Sequence, residues 1–390
     1  MIKAASVHTF ELERSEIAVK EMTDQLSGFP LLKNTAGILM CDHEFVRSGI
    51  AKRICQAFDF PIVGATSASQ ATHDAVGDMM LTLMVLTSDD IIFSAGKTGD
   101  LTEQIDERVS QAIGQTLADV KEPPGLVLVF LPLIQENAGD FYITALERSL
   151  GKTPIFGSAA VSDDAIAFAE SATIFNGDAS EAAMSFLLLS GNVTPRFFIA
   201  TISQQSVLPY AGEITKAEGN LVQEINGVSV IEYFENIGLA QDGQLPVGVQ
   251  FVPLLVDVKR AADYDGVPIV RAMVKINEDG NAICRGIMQE GSVFTIGACS
   301  REDVLRSAAE TLKSLDALDD AQAVLCFSCI VRRMAMGLDV LTEAQTVRDA
   351  IPPHLPFAMG YAVGELCPTS VTEGRAANRF HNHSLIVCVL

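Results

Sequence analysis

The sequence predicts a mixed α/β protein built from three repeated strand–helix–strand–helix–strand–strand units, with a β-rich module inserted before the third. Three observations predict it. One spacing pattern occurs three times: GILMC at 37–41, PIVGAT at 61–66 and MMLTLMVL at 79–86, then LVLVFLP, PIFGS and AMSFLLLSG, then VLCFSC, PFAMG and SLIVCVL. A short strand and a helix precede each copy, starting at Ile2, Ile91 and Ser292, which lie 59, 63 and 64 residues before Pro61, Pro154 and Pro356. Residues of roughly 200–290 match none of the copies. A recurring period of this kind is read before any single element.

The elements follow in order. Residues 2–9 form a first strand, and 15–26 a helix that Gly28-Phe29-Pro30 stops. Val46, Ile50, Ile54 and Phe58 share one stripe of a helix over 45–58. Ser67–Asp78 is polar and reads as a loop. In the second copy Asp100 and Glu103 have capping-box spacing ahead of Ile105, Val109, Ile113 and Leu117. Pro123-Pro124-Gly125 breaks that helix, 126–133 is a strand covered on both faces, and Gly151 stops a helix over 140–150. Phe197–Ser203 is one more strand. The insert alternates strands near Ile214, 221–225, 249–256, 268–276 and 282–287 with the turns Asn226-Gly227 and Asn277–Gly280, and has a short helix from Val230 to Ile237. Ser300-x-x-Asp303 caps the first helix of the third copy. The division is therefore 1–200 (units 1–90 and 91–200) and 201–390 (β module 201–290, third unit 291–390).

Composition bounds the function. Of 390 residues 48% are apolar, enough for a sizeable core, and the net charge is −22 from 27 basic and 49 acidic residues. Phosphate backbones and anionic membrane surfaces need Lys and Arg, so neither is an expected partner. The longest apolar run, near 126–134, is too short to span a bilayer. The N-terminus has no apolar signal core, and eight Cys without regular spacing read as reduced, buried thiols. A cytoplasmic protein is expected.

Strand–helix–strand units favour parallel pairing with right-handed crossovers, and ligands then sit at the carboxyl ends of the strands. That rule selects His8, His43 and Thr66–Ser69 in the first copy and Lys97, Thr98 and Ser158 in the second. In the third it selects Cys299, Cys329, Arg332 and Tyr361–Glu365. Cys326 and Cys329 are three apart on a strand, so they face opposite ways and cannot chelate one ion. Gly96-Lys97-Thr98 and Gly151-Lys152-Thr153 lack the earlier glycine of a phosphate loop. Arg332 either holds a ligand carboxylate or pairs structurally with Glu365.

In this order and spacing the chain resembles the FIST family of sensory domains. The residues that carry the resemblance are PIVGATSAS in the first half, then KAEGNLVQEINGVSVIEYF and AICRGIMQEGSVF. They continue with Phe327–Arg333, GYAVGEL with Pro368, and Asn382-x-Ser384. The resemblance implies a ligand-sensing module rather than an enzyme, acting in trans on a histidine kinase or cyclic-di-GMP enzyme, and it admits a homodimer. Ligand-binding positions expected from it and from the strand-end rule are Cys329, Arg332, Tyr361, Gly364, Glu365 and Asn382. Some stand-alone members resemble nitric oxide sensors that bind haem b. If haem binds here, the axial candidates are His43 and then His8, with His73, His354, His381 and His383 behind them. The alternatives are a non-haem, amino-acid-like ligand and, third, an enzyme using Cys329.

Overall fold

In the computed structural model, residues 1–134, 137–162, 170–202, 206–241, 252–257, 269–315 and 318–390 are described. The first unit runs β1 (Lys3–Thr9), α1 (Ser15–Gln25), β2 (Asn34–Cys41), α2 (His43–Arg47), α3 (Ile50–Gln56) and β3 (Ile62–Thr66). A short hairpin, β4 (Gln70–Ala71) and β5 (Val76–Gly77), then leads to β6 (Leu81–Ser88). The helix expected over 45–58 is two helices, because Gly49 adopts φ +77 between them, a conformation glycine accepts without strain. The segment expected to be a polar loop contains that hairpin, and Ser67–Thr72 are all buried.

The second unit repeats the order: β7 (Ile92–Lys97), α4 (Ile105–Leu117), β8 (Pro124–Leu131), α5 (Gly139–Leu150), β9 (Ile155–Ala159), the hairpin β10 (Thr173–Phe175) and β11 (Asp178–Ser180), then β12 (Ser185–Ser190). Its first helix is not capped by Asp100. That carboxylate instead closes a turn with the Thr102 N–H at 2.8 Å, and Gln104 precedes the helix at φ +56.

The third unit differs from expectation in its first strand. That strand is β13 (Arg196–Ala200). The barrel module follows immediately: β14 (Val207–Glu218), β15 (Leu221–Ile225), β16 (Val228–Ser229), α6 (Val230–Asn236), β17 (Pro253–Asp257), β18 (Ile269–Ile276), β19 (Ala282–Cys284) and β20 (Val293–Gly297). The unit resumes with α7 (Arg301–Lys313), β21 (Val324–Cys329), α8 (Ile330–Ala335), α9 (Thr342–Ala350), β22 (Phe357–Ala362), the hairpin β23 (Glu365–Thr372) and β24 (Arg375–His381), and β25 (Leu385–Val389). The strand from Ser292, expected to open this unit, is β20, which pairs with β14 and β17 inside the module. The module thus interrupts the unit between its first strand and first helix, and adjacency in sequence misassigns β20. Parts of the expected strands at 249–256 and 268–276, and Ser203, lie outside the described residues.

Among the described residues each unit makes a six-stranded sheet of one design: β1-β6-β2-β3-β10-β11, β7-β12-β8-β9-β23-β24 and β13-β25-β21-β22-β4-β5. The closing strand lies between the first and second strands and runs antiparallel to both. Only the second and third strands pair in parallel, as in Gly37↔Ile62, Val127↔Ile155 and Val324↔Phe357. The last two positions of each sheet are filled by a hairpin from another unit. Unit one lends β4–β5 to unit three, unit two lends β10–β11 to unit one, and unit three lends β23–β24 to unit two.

The inner faces of the three sheets share one apolar core containing Met40, Val63, Leu128, Phe130, Phe156, Leu325, Phe327 and Ala358. Helices cover the outer faces, with Ala18, Met22, Phe45 and Ile54 over the first sheet. The module closes into a barrel through the additional β14–β15 pairing and has its own core of Ile214, Tyr233, Phe234, Val256, Met273 and Phe294.

Candidate functional site

The three hairpin exchanges form a closed ring at the carboxyl ends of the parallel strands. The Thr66 N–H donates to Ala172 O at 2.8 Å, Ala159 N–H to Gly364 O at 2.9 Å, and Tyr361 N–H to Ser69 O at 3.2 Å. These are one hydrogen bond repeated three times. In each, the residue after the acceptor is the first of the lent hairpin to pair with its host sheet. Those residues are Thr173, Glu365 and Gln70, opposite Ala65, Ser158 and Gly360.

Strand alternation decides where their side chains point. The next residues, Ile174, Leu366 and Ala71, pack in the outer, helix-covered clusters. Thr173, Glu365 and Gln70 therefore face inward, and Cys367, two along from Glu365, does lie in the inner core. On that inner side a Cβ at Gly360 would meet Met40 Sδ at 2.7 Å and Ser67 Oγ at 2.8 Å. Three polar residues, 2%, 0% and 1% exposed, thus cap the apolar core at its carboxyl-end mouth.

Their hydrogen bonding differs sharply. Thr173 Oγ1 donates to Ala183 O at 2.6 Å. Gln70 Nε2 donates to Ser67 O at 2.7 Å, but its carbonyl oxygen has no partner. Neither carboxyl oxygen of Glu365 makes a hydrogen bond of normal geometry, although the Ser384 N–H and the Cys329 thiol lie near it. Burial pushes the Glu365 pKa well above the usual carboxylate range; the Ser384 N–H and Arg332 oppose this without reversing it. Buried polar atoms in folded proteins are nearly always paired, so such orphans at one place call for an explanation.

Cys329 ends β21 beside this ring. Burial, and then the neighbouring Glu365, push its thiol pKa well up. A thiol held protonated is a poor nucleophile.

Arg332 belongs to a different cluster, under the helices. It is 0% exposed and pairs with Glu343, also 0% exposed, at 2.7 Å. Its remaining N–H groups reach Ser307 Oγ at 3.1 Å, His383 O at 3.3 Å and Val304 O at 3.1 Å. Ser328 Oγ donates to Glu343 at 2.8 Å. The guanidinium is saturated, so no fork is left for a ligand carboxylate, and its structural partner is Glu343 rather than Glu365. Tyr361 faces this cluster, packed with Phe357 and Met359, and its buried hydroxyl makes no hydrogen bond of normal geometry.

The other expected residues separate further. Gly364 lets the ring close, since a Cβ there would collide with the Phe380 ring. Asn382 anchors the barrel: its Oδ1 accepts the Ala272 N–H at 3.1 Å, while Arg271 of the same strand bonds Phe380 O at 2.5 Å and Asp140 at 2.8 Å. Lys97 is exposed beside Asp178, and Thr98 accepts the Met184 N–H at 3.0 Å.

His43 begins α2, its Nδ1 is buried without a partner, and its Nε2 is 3.9 Å from Glu170. His8 Nδ1 meets Thr72 Oγ1 at 3.3 Å, and burial lowers its pKa against the pull of Asp74 and Glu21. His8 lines a groove of about 450 Å³ with Glu11, Glu21 and Gln25, walls too polar for a porphyrin face. His43 offers a ligand atom; His8 does not fit. His73 Nε2 contacts Leu355 O and His381 Nε2 contacts Cys367 O. Among the described residues no cluster of His, Cys, Asp and Glu could hold a metal ion, and no helix is long and apolar enough to cross a membrane.

Sequence reasoning found Glu365 but missed Gln70 and Thr173. The signal was present, because both occupy the Glu365 position of their own repeats. Recognising it required seeing that short hairpin strands begin at Gln70 and Thr173 in the chain that follows PIVGAT and PIFGSA.

Comparison with known proteins adds the family. The FIST N domain matches residues 35–228 and the FIST C domain residues 231–368. No curated protein matches the chain. Among solved structures it is similar to a cyanuric acid hydrolase from A. caulinodans, at 11% identity and TM-score 0.36, over 100% of this chain and 99% of that one. A TM-score that low carries no argument about activity. Since the two domain matches span most of the chain, it belongs to the FIST family, whose domains are sensory modules of signal transduction.

Proposed function

We propose that this protein is a small-molecule sensor, not an enzyme, and that its ligand docks at the carboxyl-end mouth on Glu365. One observation carries the reading. A carboxyl group that is 0% exposed makes no hydrogen bond of normal geometry at either oxygen, with only the Ser384 N–H and the Cys329 thiol near it, a state that costs stability and is relieved by a bound partner. The thiol beside it is poorly suited to covalent catalysis, which favours binding over turnover. Ligand binding shifts the population between two states of the hairpin ring, and a partner histidine kinase or cyclic-di-GMP enzyme reads the difference. The test is a thermal-shift screen of small polar compounds, amino acids included, on the parent and Glu365→Gln. A hit that stabilises the parent and loses at least tenfold in affinity in the variant supports the site. Hits that bind both equally would place the ligand elsewhere.

A second reading, a haem b nitric oxide sensor, is favoured by one observation: the unpartnered Nδ1 of His43 at a strand's carboxyl end. Haem would supply the gas-binding iron, and His43 the axial nitrogen. An absorption spectrum of protein from haem-supplemented cells, before and after nitric oxide, decides it. A stoichiometric Soret band that His43→Ala abolishes supports the reading, and a spectrum that stays flat after haemin ends it.

A further inference from the structure

We infer that the inward ring of Glu365 and Gln70 recognises a small cation carrying N–H donors, of the primary-ammonium class, rather than a carboxylate or a neutral acceptor. The inference rests on Glu365 being the docking point and goes further by fixing what the ligand must present. The side-chain atoms left without a hydrogen bond of normal geometry are both oxygens of Glu365 and the carbonyl oxygen of Gln70, whose amide nitrogen donates to Ser67 O; once Glu365 ionises all three are acceptors. Equivalent ring hydrogen bonds place both residues on the inner faces of their host sheets, at the carboxyl ends of the parallel strands.

The charge bookkeeping points the same way. The groups facing Glu365 are Cys329 at the end of β21, Arg332 on α8, Glu343 on α9 and the Ser384 N–H before β25. Arg332 and Glu343 neutralise one another in a 2.7 Å pair, and the thiol is held neutral. Among these described groups no cation is left to balance an ionised Glu365, and the ligand supplies one. A ligand carboxylate would find the guanidinium already full. The net charge of −22 raises the local concentration of small cations around the protein.

The proton balance is explicit. Below its raised pKa, Glu365 of the free protein carries its proton. A primary ammonium ion docks on the carboxylate, so that proton leaves to solvent while the ammonium keeps its own three. Below the raised Glu365 pKa, affinity should rise about tenfold per pH unit, then level off above it.

The experiment uses the full chain with methylammonium as the probe, and acetamide and acetate as neutral and anionic controls of similar size. Melting temperature and proton release in weakly buffered solution are read at several pH values. Methylammonium should raise the melting temperature saturably and release up to one proton per chain, with no saturable effect of acetamide or acetate. Glu365→Gln should abolish the release. Gln70→Leu should weaken binding about tenfold, the worth of one charge-assisted hydrogen bond, and leave the release intact. The wild-type proton count needs no variant, so a misfolded substitution does not rescue the idea. Saturable binding of acetate or acetamide without methylammonium would overturn the cation inference and leave Glu365 as a sensor site. Binding of methylammonium with no proton released, or to Glu365→Gln as tightly as to the parent, would also overturn it. If no probe binds, the inference fails, and the broader screen on Glu365→Gln then decides separately whether the sensor reading falls with it.

Discussion

Two buried acids, Glu343 and Glu365, both 0% exposed, have opposite surroundings. Glu343 accepts from Arg332 and Ser328 and sits in a completed network under the helices. Glu365 faces inward with no hydrogen bond of normal geometry at either oxygen. The first pattern is what a fold does with a charge it must bury. The second is what it leaves when something else is to complete the site. Burial alone therefore does not mark a functional acid; the unmade hydrogen bonds do.

The largest expected effect would break the comparison from the structural side. Removing one partner of a buried, hydrogen-bonded ion pair strands the other charge, at about 3–5 kcal/mol. Arg332→Met or Glu343→Ala should lower stability by that amount in urea unfolding, with the denaturant slope unchanged. A loss below about 1 kcal/mol would show that the pair is not the structural element described here.

Asn382→Ala comes next. It leaves the buried Ala272 N–H unpaired at the junction of barrel and repeats, at about 1–3 kcal/mol. Hydrogen exchange should then accelerate in β18 more than in the repeat sheets. Uniform acceleration would mean that the junction does not unfold separately.

Glu365→Gln should do the reverse of the ion-pair variants. Because folding raises the Glu365 pKa, the stability linked to its neutral form is fully present below its unfolded value of 4.5 and is lost as pH rises toward the folded value. Gln does not ionise, so in the unliganded state the variant should gain on the parent as pH rises above about 4.5. Melting curves from pH 4 to 9 check this, and a constant offset across that range would contradict the assignment. The smallest effect is on His43→Ala, whose ring makes no hydrogen bond at Nδ1. Its melting temperature should change by less than that of Asn382→Ala.

Much of this was legible in the sequence. The threefold repeat, the capping box at Ser300 and Asp303, the Gly151 stop and the apolar parallel strands all arise from local periodicity and turn chemistry. The carboxyl-end rule led to Glu365 and Cys329 without a structure in hand. It led equally to Arg332, and the family resemblance led to Asn382, both of which serve the packing. Type and position in the chain cannot distinguish a saturated guanidinium from an open one, because its partners Glu343, Ser307 and His383 are 11, 25 and 51 residues away.

The sequence by itself determined most of the elements, the number of units and the apolar faces, since these depend on residues a few positions apart. Only the tertiary structure decided which strand opens the third unit, which hairpin completes which sheet, and which buried polar atoms remain unpaired. Those depend on contacts across the chain, such as Tyr361 with Ser69 and Ala159 with Gly364. They also depend on strand pairing, where a one-residue change in register sends every side chain to the other face. The candidate site is a product of that pairing, assembled from three hairpins none of which holds it alone.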